Sequence, residues 1–473
     1  MKRLCPFFFA ALWIIGCAVG PDYKRPAVTP PPAFREAENA ATNSMGDLPW
    51  WRLFEDPALQ GLIQTALTNN YDLRTAVARV EEARAVLAQN RSVFFPQVTY
   101  QAGVGAGRNV LGNSPYRSGG PAGDSFEFAG NVSWEIDLWG RIRRLNESAR
   151  SQLLATQEAR RDVTVSLIAS VAEAYFQLLA LDEELAIAEE TTNSFRESWR
   201  IFNQRLQGGV SSKLETASAE ALFDSAAATI PELRRQRIAQ EDQISILLGF
   251  NPGPVARPRA GLRETALPDI PPGLPSALLE RRPDIRQAEQ LMRAANAQIG
   301  VAKADLYPTL SLTGLFGQVS PELSTLTSGG ANAWEAAAGL TGPIIEGGLL
   351  RARLRQARAA WDETRWQYLS TLLRAFGEVS DALVARQQLE LERVEQARAV
   401  AAYQEAVQVA GQRYRGGQAG YYELLQEQQL LFPAQNVLVQ AHLNQLLATV
   451  QLYKALGGGW EAGEPAPSSR TTR

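Results

Sequence analysis

Arg141-Ile-Arg-Arg-Leu-Asn-Glu-Ser, continuing to Phe202-Asn-Gln-Arg-Leu-Gln207, spans 67 residues with no glycine or proline. A helix of that length would measure about 100 Å at 1.5 Å per residue. Leu167, Val171, Ala174, Leu178, Leu181, Leu185 and Ala188 recur within it at steps of four and three, and Phe195, Trp199, Phe202 and Leu206 resume the stripe. Such a seam must be buried against other long helices. Gly208-Gly209 stops the helix, and Ser211-Ser212 starts another that runs back.

A second stretch repeats this pattern. Leu349 to Ala410 contains no proline, carries Leu372, Phe376, Val379 and Leu383 on one stripe, and leads to a second glycine pair, Gly416-Gly417. Gln204-Arg205-Leu206-Gln207-Gly208-Gly209 aligns with Gln412-Arg413-Tyr414-Arg415-Gly416-Gly417 at an offset of 412 − 204 = 208. That offset holds as far as Leu248-Gly249 against Leu456-Gly457, while Asp72-Leu73-Arg74 and Pro96 match Asp284-Ile285-Arg286 and Pro308 at an offset of 212. The chain is one unit written twice.

Between the helical stretches the hydrophobic period changes to two. Val98, Tyr100, Ala102, Val104 and Ala106 alternate with Gln97, Thr99, Gln101 and Gly103. Phe126, Phe128, Gly130, Val132, Trp134, Ile136 and Leu138 alternate with Glu127, Asn131, Ser133, Glu135 and Asp137. The second half has Leu310, Leu312 and Phe316 against Thr309, Ser311 and Thr313, then Trp334, Ala336, Ala338, Leu340 and Ile344 against Glu335 and Thr341. Loops are expected at Arg108 to Ser125 and at Ser320 to Ala333. Strands of about ten residues with one apolar and one polar face fit a transmembrane β-barrel; a half-buried soluble sheet has the same alternation. Four strands per chain fall short of the roughly eight of the smallest bacterial membrane barrels, and lipid tolerates no open edge. A barrel built from this chain must therefore be shared between copies. No apolar stretch is expected to cross a membrane as a helix.

The N-terminus reads as a signal peptide over residues 1–16, with Lys2-Arg3 before the apolar run Pro6 to Ile15. It ends in Ile14-Ile15-Gly16-Cys17, which resembles a bacterial lipobox, with Ile14 where leucine is usual. An ordinary signal peptide with an incidental cysteine fits the same residues. Acylation of Cys17 is the expectation adopted. The only other cysteine, Cys5, lies within the signal peptide, so no disulfide framework is possible.

The remaining boundaries follow the repeats. Residues 17–56 form an extended, proline-rich arm. Residues 57–250 are the first repeat, opening with a helix from Pro57 that carries Leu59 to Leu87 and stops before Pro96. Residues 251–275 hold seven prolines and make the connector, residues 276–457 are the second repeat, and residues 458–473 form a disordered tail. A net charge of −3 argues against nucleic acid. His442 is the one histidine, and Met1, Met45 and Met292 are scattered, so no metal, cofactor or catalytic constellation is expected.

Cys17-Ala-Val-Gly-Pro-Asp-Tyr-Lys-Arg-Pro, Trp50-Trp51 with Phe54-x-Asp-Pro, Trp134-Glu-Ile-Asp-Leu-Trp-Gly-Arg141, and Arg282-Pro-Asp-Ile-Arg with Ala-Asn-Ala-x-Ile-Gly300 resemble the TolC-type outer-membrane efflux proteins. The resemblance is strongest to their lipoprotein branch, NodT/OprM-like, and covers residues 17–457. It implies a homotrimer with a twelve-stranded outer-membrane barrel continuing into a periplasmic α-helical barrel. It also implies a periplasmic adaptor and an inner-membrane pump of the resistance-nodulation-division type as partners. The exported compound is left open. A duct for type I protein secretion, and a lipid-anchored structural coiled coil without a channel, are the alternative readings.

Function is then expected at the periplasmic tips, Gly208-Gly209 and Gly416-Gly417, where the adaptor would dock. Glu215 and Glu423 are equivalent (423 − 215 = 208) and would form a ring of six carboxylates in a trimer, favouring cations. Ser212-x-x-Glu215 also fits a capping box, which gives Glu215 a purely structural use. Arg205 and Arg413 are candidates to hold the tip shut, and Tyr414, Tyr421 and Tyr422 to plug it. Relatives often carry an aspartate in a Leu-Asp-Ala motif where this chain has Gln426, which puts a second carboxylate ring in doubt.

Overall fold

The structure, a computed structural model, describes residues 18–32, 34, 48–107, 123–257, 262 and 278–458. The signal peptide, Cys17, most of the first expected loop, much of the connector and the tail beyond 458 lie outside the described residues.

A short helix, α1 (Trp50–Leu53), interrupts the arm expected to be extended, and the first repeat then contains α2 (Pro57–Asn69), α3 (Tyr71–Ser92), β1 (Gln97–Gly107), β2 (Gly123–Ile136), α4 (Arg141–Gln207) and α5 (Lys213–Leu247). The second contains α6 (Leu278–Arg281), α7 (Pro283–Ala304), β3 (Thr309–Ser320), β4 (Asn332–Thr341), α8 (Leu349–Arg415) and α9 (Tyr421–Ala455). Both long helices, α4 and α8, have 67 residues, and both return helices, α5 and α9, have 35. From α3 and α7 onward the duplication read from the sequence is matched element by element; before them, the 13-residue α2 is answered only by the four-residue α6.

Each long helix ends the same way. Gly209 and Gly417 adopt positive φ, 72° and 70°. Val210 N–H donates to Arg205 O at 2.8 Å, and Gln418 N–H to Arg413 O at 2.9 Å. This closure uses carbonyls that the helix end leaves without partners, and glycine supplies the left-handed turn at least cost.

The chain packs as two compact units that each draw on both repeats. One takes in the described parts of Met1–Ala27, Arg79–Gln157 and Gln287–Leu369; the other takes in Val28–Ala78, Glu158–Arg286 and Ser370–Arg473.

The first unit holds a four-stranded antiparallel sheet in the order β1-β2-β3-β4. Its register puts Tyr100 opposite Gly130, Trp134 opposite Leu312 and Phe316 opposite Trp334. One face therefore carries Val98, Tyr100, Val104, Phe128, Phe316, Trp334 and Leu340, all exposed. The other carries Gln101, Glu127, Asn131, Ser133, Glu135, Thr313 and Glu335. Both edges, β1 and β4, are without a neighbouring strand among the described residues.

An N-terminal strap is seated on this unit. Val19 N–H donates to Trp139 O at 2.9 Å, Asn296 Nδ2 to Pro21 O at 2.9 Å, and Arg144 pairs with Asp22 at 2.7 Å. Tyr23 and Arg25 both reach Glu289, and the Arg293 guanidinium lies over the Tyr23 ring. Gly20 and Gly300 approach so closely that a Cβ on Gly20 would stand 2.6 Å from Gly300 Cα, so a side chain there would lift the strap.

In the second unit the expected seam of α4 is buried at Leu167, Val171, Ala174, Leu178, Leu185 and Ala188, with Leu181 half-buried. Contrary to expectation, α4 does contain an 18-residue window apolar enough to cross a membrane. It is 67% buried within the protein, so its apolarity reflects the core.

Three further expectations are corrected. The helix from Pro57 is not continuous: Asn70 interrupts it, its side chain accepting Leu73 N–H at 2.9 Å and donating to Leu247 O at 3.0 Å. Strand β2 stops at Ile136, short of Leu138, because the Asp137 carboxylate turns the chain by capping Ile142 and Arg143 N–H. Strand β4 stops at Thr341, short of Ile344, since Pro343 lacks the N–H a ladder needs.

Asp56 does two jobs in the second unit. Its carboxylate accepts Ala58 and Leu59 N–H at the start of α2, and it accepts the hydroxyl of the buried Tyr175 at 2.6 Å. Asp56→Ala is expected to cost about 2 kcal/mol, the sum of a lost cap and an unsatisfied buried hydroxyl. Thermal melting of Asp56→Ala beside Tyr175→Phe tests this; equal, negligible shifts would contradict the assignment.

Candidate gate at the hairpin tips

The tips are built from the last turns of α4 and α8 and the first turns of α5 and α9. Near the tips, Phe195, Phe202, Ala219, Ala226, Tyr421 and Leu425 form a buried cluster, with Trp199, Leu222, Phe223, Tyr414 and Leu424 packed against it. Trp199 and Phe223 stack at 6.0 Å, and Arg196 lies 5.3 Å from the Phe223 ring centre. Tyr421 meets Phe202 edge-on at 4.7 Å and Tyr414 at 4.9 Å. Residues from both hairpins share this core, so the two tips are held together by aromatic burial.

Polar bonds cross the same junction. Arg205 Nη1 on α4 donates to the Tyr414 hydroxyl on α8 at 2.9 Å. The Tyr421 hydroxyl bonds Ser198 Oγ, and Gln428 Nε2 donates to Ser194 Oγ at 3.1 Å. Burial pushes the Tyr421 hydroxyl pKa up, so it stays protonated and able to donate.

The expected gate residues therefore separate into different roles. Tyr421 is only 8% exposed and packs between hairpins, whereas Tyr422 beside it is 70% exposed. Arg205 bridges the hairpins through Tyr414. Arg413 instead forms an ion pair with Glu423 inside its own hairpin. Gln426 is exposed on the first turns of α9. Gly208, Gly209, Gly416 and Gly417 make the exposed turns themselves.

Glu215 closes the capping box in full. Its carboxylate accepts Ser212 N–H at 2.9 Å and the Ser211 hydroxyl at 2.7 Å, while its own N–H donates to Ser212 Oγ at 3.2 Å. These bonds hold its pKa below the usual carboxylate range, the Ser212 N–H contributing most. Glu215 stays ionised and exposed. Ser198, Ser194 and Gln428 carried no signal in the sequence, because a serine on a helix face acquires a role only when another helix arrives beside it.

Elsewhere, His442 lines a cavity of about 230 Å³ with Glu183, Arg393, Ala397, Leu438 and Val439. Among the described residues no group of three or more His, Cys, Asp or Glu is placed to hold a metal.

Residues 62–250 and 274–458 match the family model described as outer membrane efflux protein. The chain belongs to that family. The match covers both repeats, so this outer-membrane efflux protein has the family's internal duplication from end to end. It is 36% identical to the probable efflux pump outer membrane protein TtgC of Pseudomonas putida, over 97% of this chain and 96% of that one. It is 33% identical to the cation efflux system protein CusC of Escherichia coli, over 97% and 99% of the two chains. The solved structure of the outer-membrane channel OprN superposes with a TM-score of 0.86 at 32% identity, covering 94% of this chain and 100% of that one. Members of the family are transport channels, and this outer-membrane efflux protein is the exit duct of an efflux system.

Proposed function

We propose that three copies of the chain close one twelve-stranded barrel in the outer membrane and one helical tunnel below it. Small molecules delivered by an inner-membrane pump of the resistance-nodulation-division type, through a periplasmic adaptor, would pass along this duct without chemical change. The open sheet carries the argument: two unpaired edges and an exposed apolar face need further strands of the same kind and lipid around them. Acylated Cys17 would add a lipid anchor; the first described residue after it, Ala18, lies against Gly140 beside the end of β2. Crosslinking in intact cells, followed by identification of what co-purifies, tests the assembly. A trimer with an adaptor and a proton-driven pump supports it. A monomer in the outer membrane would overturn it, and an ATP-driven exporter would move the cargo to proteins or peptides.

The tip is closed at rest in this reading, and the adaptor opens it by docking on the turns at Gly208-Gly209 and Gly416-Gly417. The Arg205–Tyr414 bond and the Tyr421 contacts are what opening must break. Removing one hydrogen bond by Arg205→Ala or Tyr414→Phe is expected to shift the closed-to-open ratio by about fivefold per copy, the equivalent of roughly 1 kcal/mol. Larger or more frequent openings in planar bilayers would be the sign; unchanged currents would remove the latch from the gate.

Selectivity divides unevenly between the two carboxylates. Glu423 is neutralised by Arg413, whereas Glu215 is held by neutral donors and keeps its net charge. Glu215→Gln is therefore expected to reduce cation preference more than Glu423→Gln, and the pair most of all. Reversal potentials across a salt gradient report this directly; unaltered selectivity in the double variant would count against a carboxylate ring.

A further inference from the structure

The first turns of α8 carry charge of the wrong sign for a helix start. Arg351, Arg353, Arg355 and Arg358 follow one another with no acidic residue before Asp362, and all four are exposed. The positive end of the helix dipole opposes cations here. Among the described residues none of the four has a carboxylate partner.

The first repeat shows what a neutralised version looks like. Gly140 and Gly348 both take positive φ, 80° and 89°, just before α4 and α8, and fix the offset at 208. After Gly140, Arg141 pairs with Glu135 at 2.6 Å, Arg143 with Asp137 at 3.1 Å, and Arg144 with Glu147 at 2.8 Å. At that offset Glu135, Asp137 and Glu147 become Pro343, Ile345 and Arg355. Of the three arginines only Arg143 has a counterpart, Arg351, with Leu349 and Ala352 where Arg141 and Arg144 stand. The second repeat adds Arg353, Arg355 and Arg358 and loses the three paired carboxylates, the exposed Glu346 being the one acidic residue between β4 and Asp362.

The surroundings indicate what replaces those carboxylates. Residues Ile344 and Ile345, between β4 and α8, are 95% and 89% exposed. Beyond the arginines, the Arg365 guanidinium lies 5.9 Å from the Trp361 ring centre and 5.1 Å from that of Trp366. Exposed apolar residues, basic side chains and tryptophan close together are the composition of a membrane–water boundary. Strand β4 ends at the same edge of the sheet where β2 ends and β1 and β3 begin, so the stripe follows directly on the helix-proximal rim of the barrel. Arg351, Arg355 and Arg358, at steps of four and three, share one helix face and span about 10 Å, comparable to a headgroup layer.

We propose that the Arg351–Arg355–Arg358 stripe docks the phosphate headgroups of anionic phospholipids in the leaflet at the helix end of the barrel. The second repeat thus meets lipid phosphate where the first repeat meets its own carboxylates. The inference rests on the outer-membrane channel reading.

Full-length protein would be titrated with phosphatidylglycerol or phosphatidylcholine and bound lipid counted by native mass spectrometry. The triple variant Arg351→Gln, Arg355→Gln, Arg358→Gln is compared with a control of equal charge loss at exposed, paired sites, Arg84→Gln, Arg235→Gln, Arg398→Gln. The wild type and control are expected to prefer phosphatidylglycerol, and the triple variant to lose that preference by on the order of a hundredfold. Removing cations from a helix start does not endanger folding. An unchanged preference in the triple variant would overturn the proposal. So would loss of the oligomer in both lipids, which would place carboxylates of an adjacent copy on the stripe, or altered ion selectivity with lipid preference intact, which would turn the stripe towards the duct. Failure to insert into bilayers of either lipid would instead count against the channel reading itself.

Discussion

Gly317→Val is expected to prevent the strands from assembling. A Cβ at position 317 would lie 2.3 Å from Phe128 O, 2.5 Å from Ala129 Cα and 2.6 Å from Ala129 Cβ. Two of these atoms are backbone and Ala129 is fully buried, so neither side can yield without opening the ladder. The pair Ala129–Gly317 lies within the β2–β3 seam, the one pairing that joins the strands of the two repeats. A cost of at least about 3 kcal/mol follows from overpacking against fixed backbone. Gly103→Val is the matched control, since nothing lies within 4 Å of a Cβ there. Heat-resistant migration of the outer-membrane form on gels should survive in the control and vanish in Gly317→Val. Equal behaviour of the two would show that the seam tolerates a side chain.

Arg282→Ala is expected to destabilise the second unit by roughly 3 kcal/mol. This side chain is 9% exposed and donates Nη1 to Ala455 O at 3.0 Å, near the end of α9. Its Nε and Nη2 grip both oxygens of Asp284 at 3.0 and 2.7 Å, and Nη2 also reaches Glu378 on α8 at 2.7 Å. One guanidinium thus ties together the start of α7, the middle of α8 and the end of α9. Breaking a buried ion pair by removing one partner costs about 3–5 kcal/mol, and the partial exposure of Asp284 and Glu378 places this case at the lower end. Arg282→Lys should recover little, because an ammonium cannot present a fork to Asp284 while reaching a carbonyl and a second carboxylate. Helical melting followed by circular dichroism measures both variants. A stable alanine variant would reduce Arg282 to a surface residue.

The candidate gate was legible in part. Glycine pairs, the capping box and the paired glutamates stand at fixed positions in the chain, so they could be read and aligned. That Arg413 turns to its own hairpin while Arg205 crosses to Tyr414 could not be read, since both are simply arginines one turn before a glycine pair. Only the distance between facing helices separates the two. Tyr421 and Tyr422 are adjacent in sequence, yet one is buried and the other exposed; the 100° rotation between neighbouring helix residues, applied to a particular packing, decides that.

What the sequence by itself determined is whatever is periodic or local: the duplication, the 67-residue helices, the alternating strands, the turns that end them and the need for strands from other copies. These depend on spacing along the chain, which the sequence states outright. The tertiary structure alone decided which charges find partners. Arg144 reaches Asp22 at 2.7 Å and Arg205 reaches the Tyr414 hydroxyl at 2.9 Å, across 122 and 209 residues of chain, and nothing local to either arginine announces its partner. The reason is physical. An ion pair depends on two side chains meeting within about 4 Å, and for residues far apart in the chain only the packing of the elements between them sets that distance.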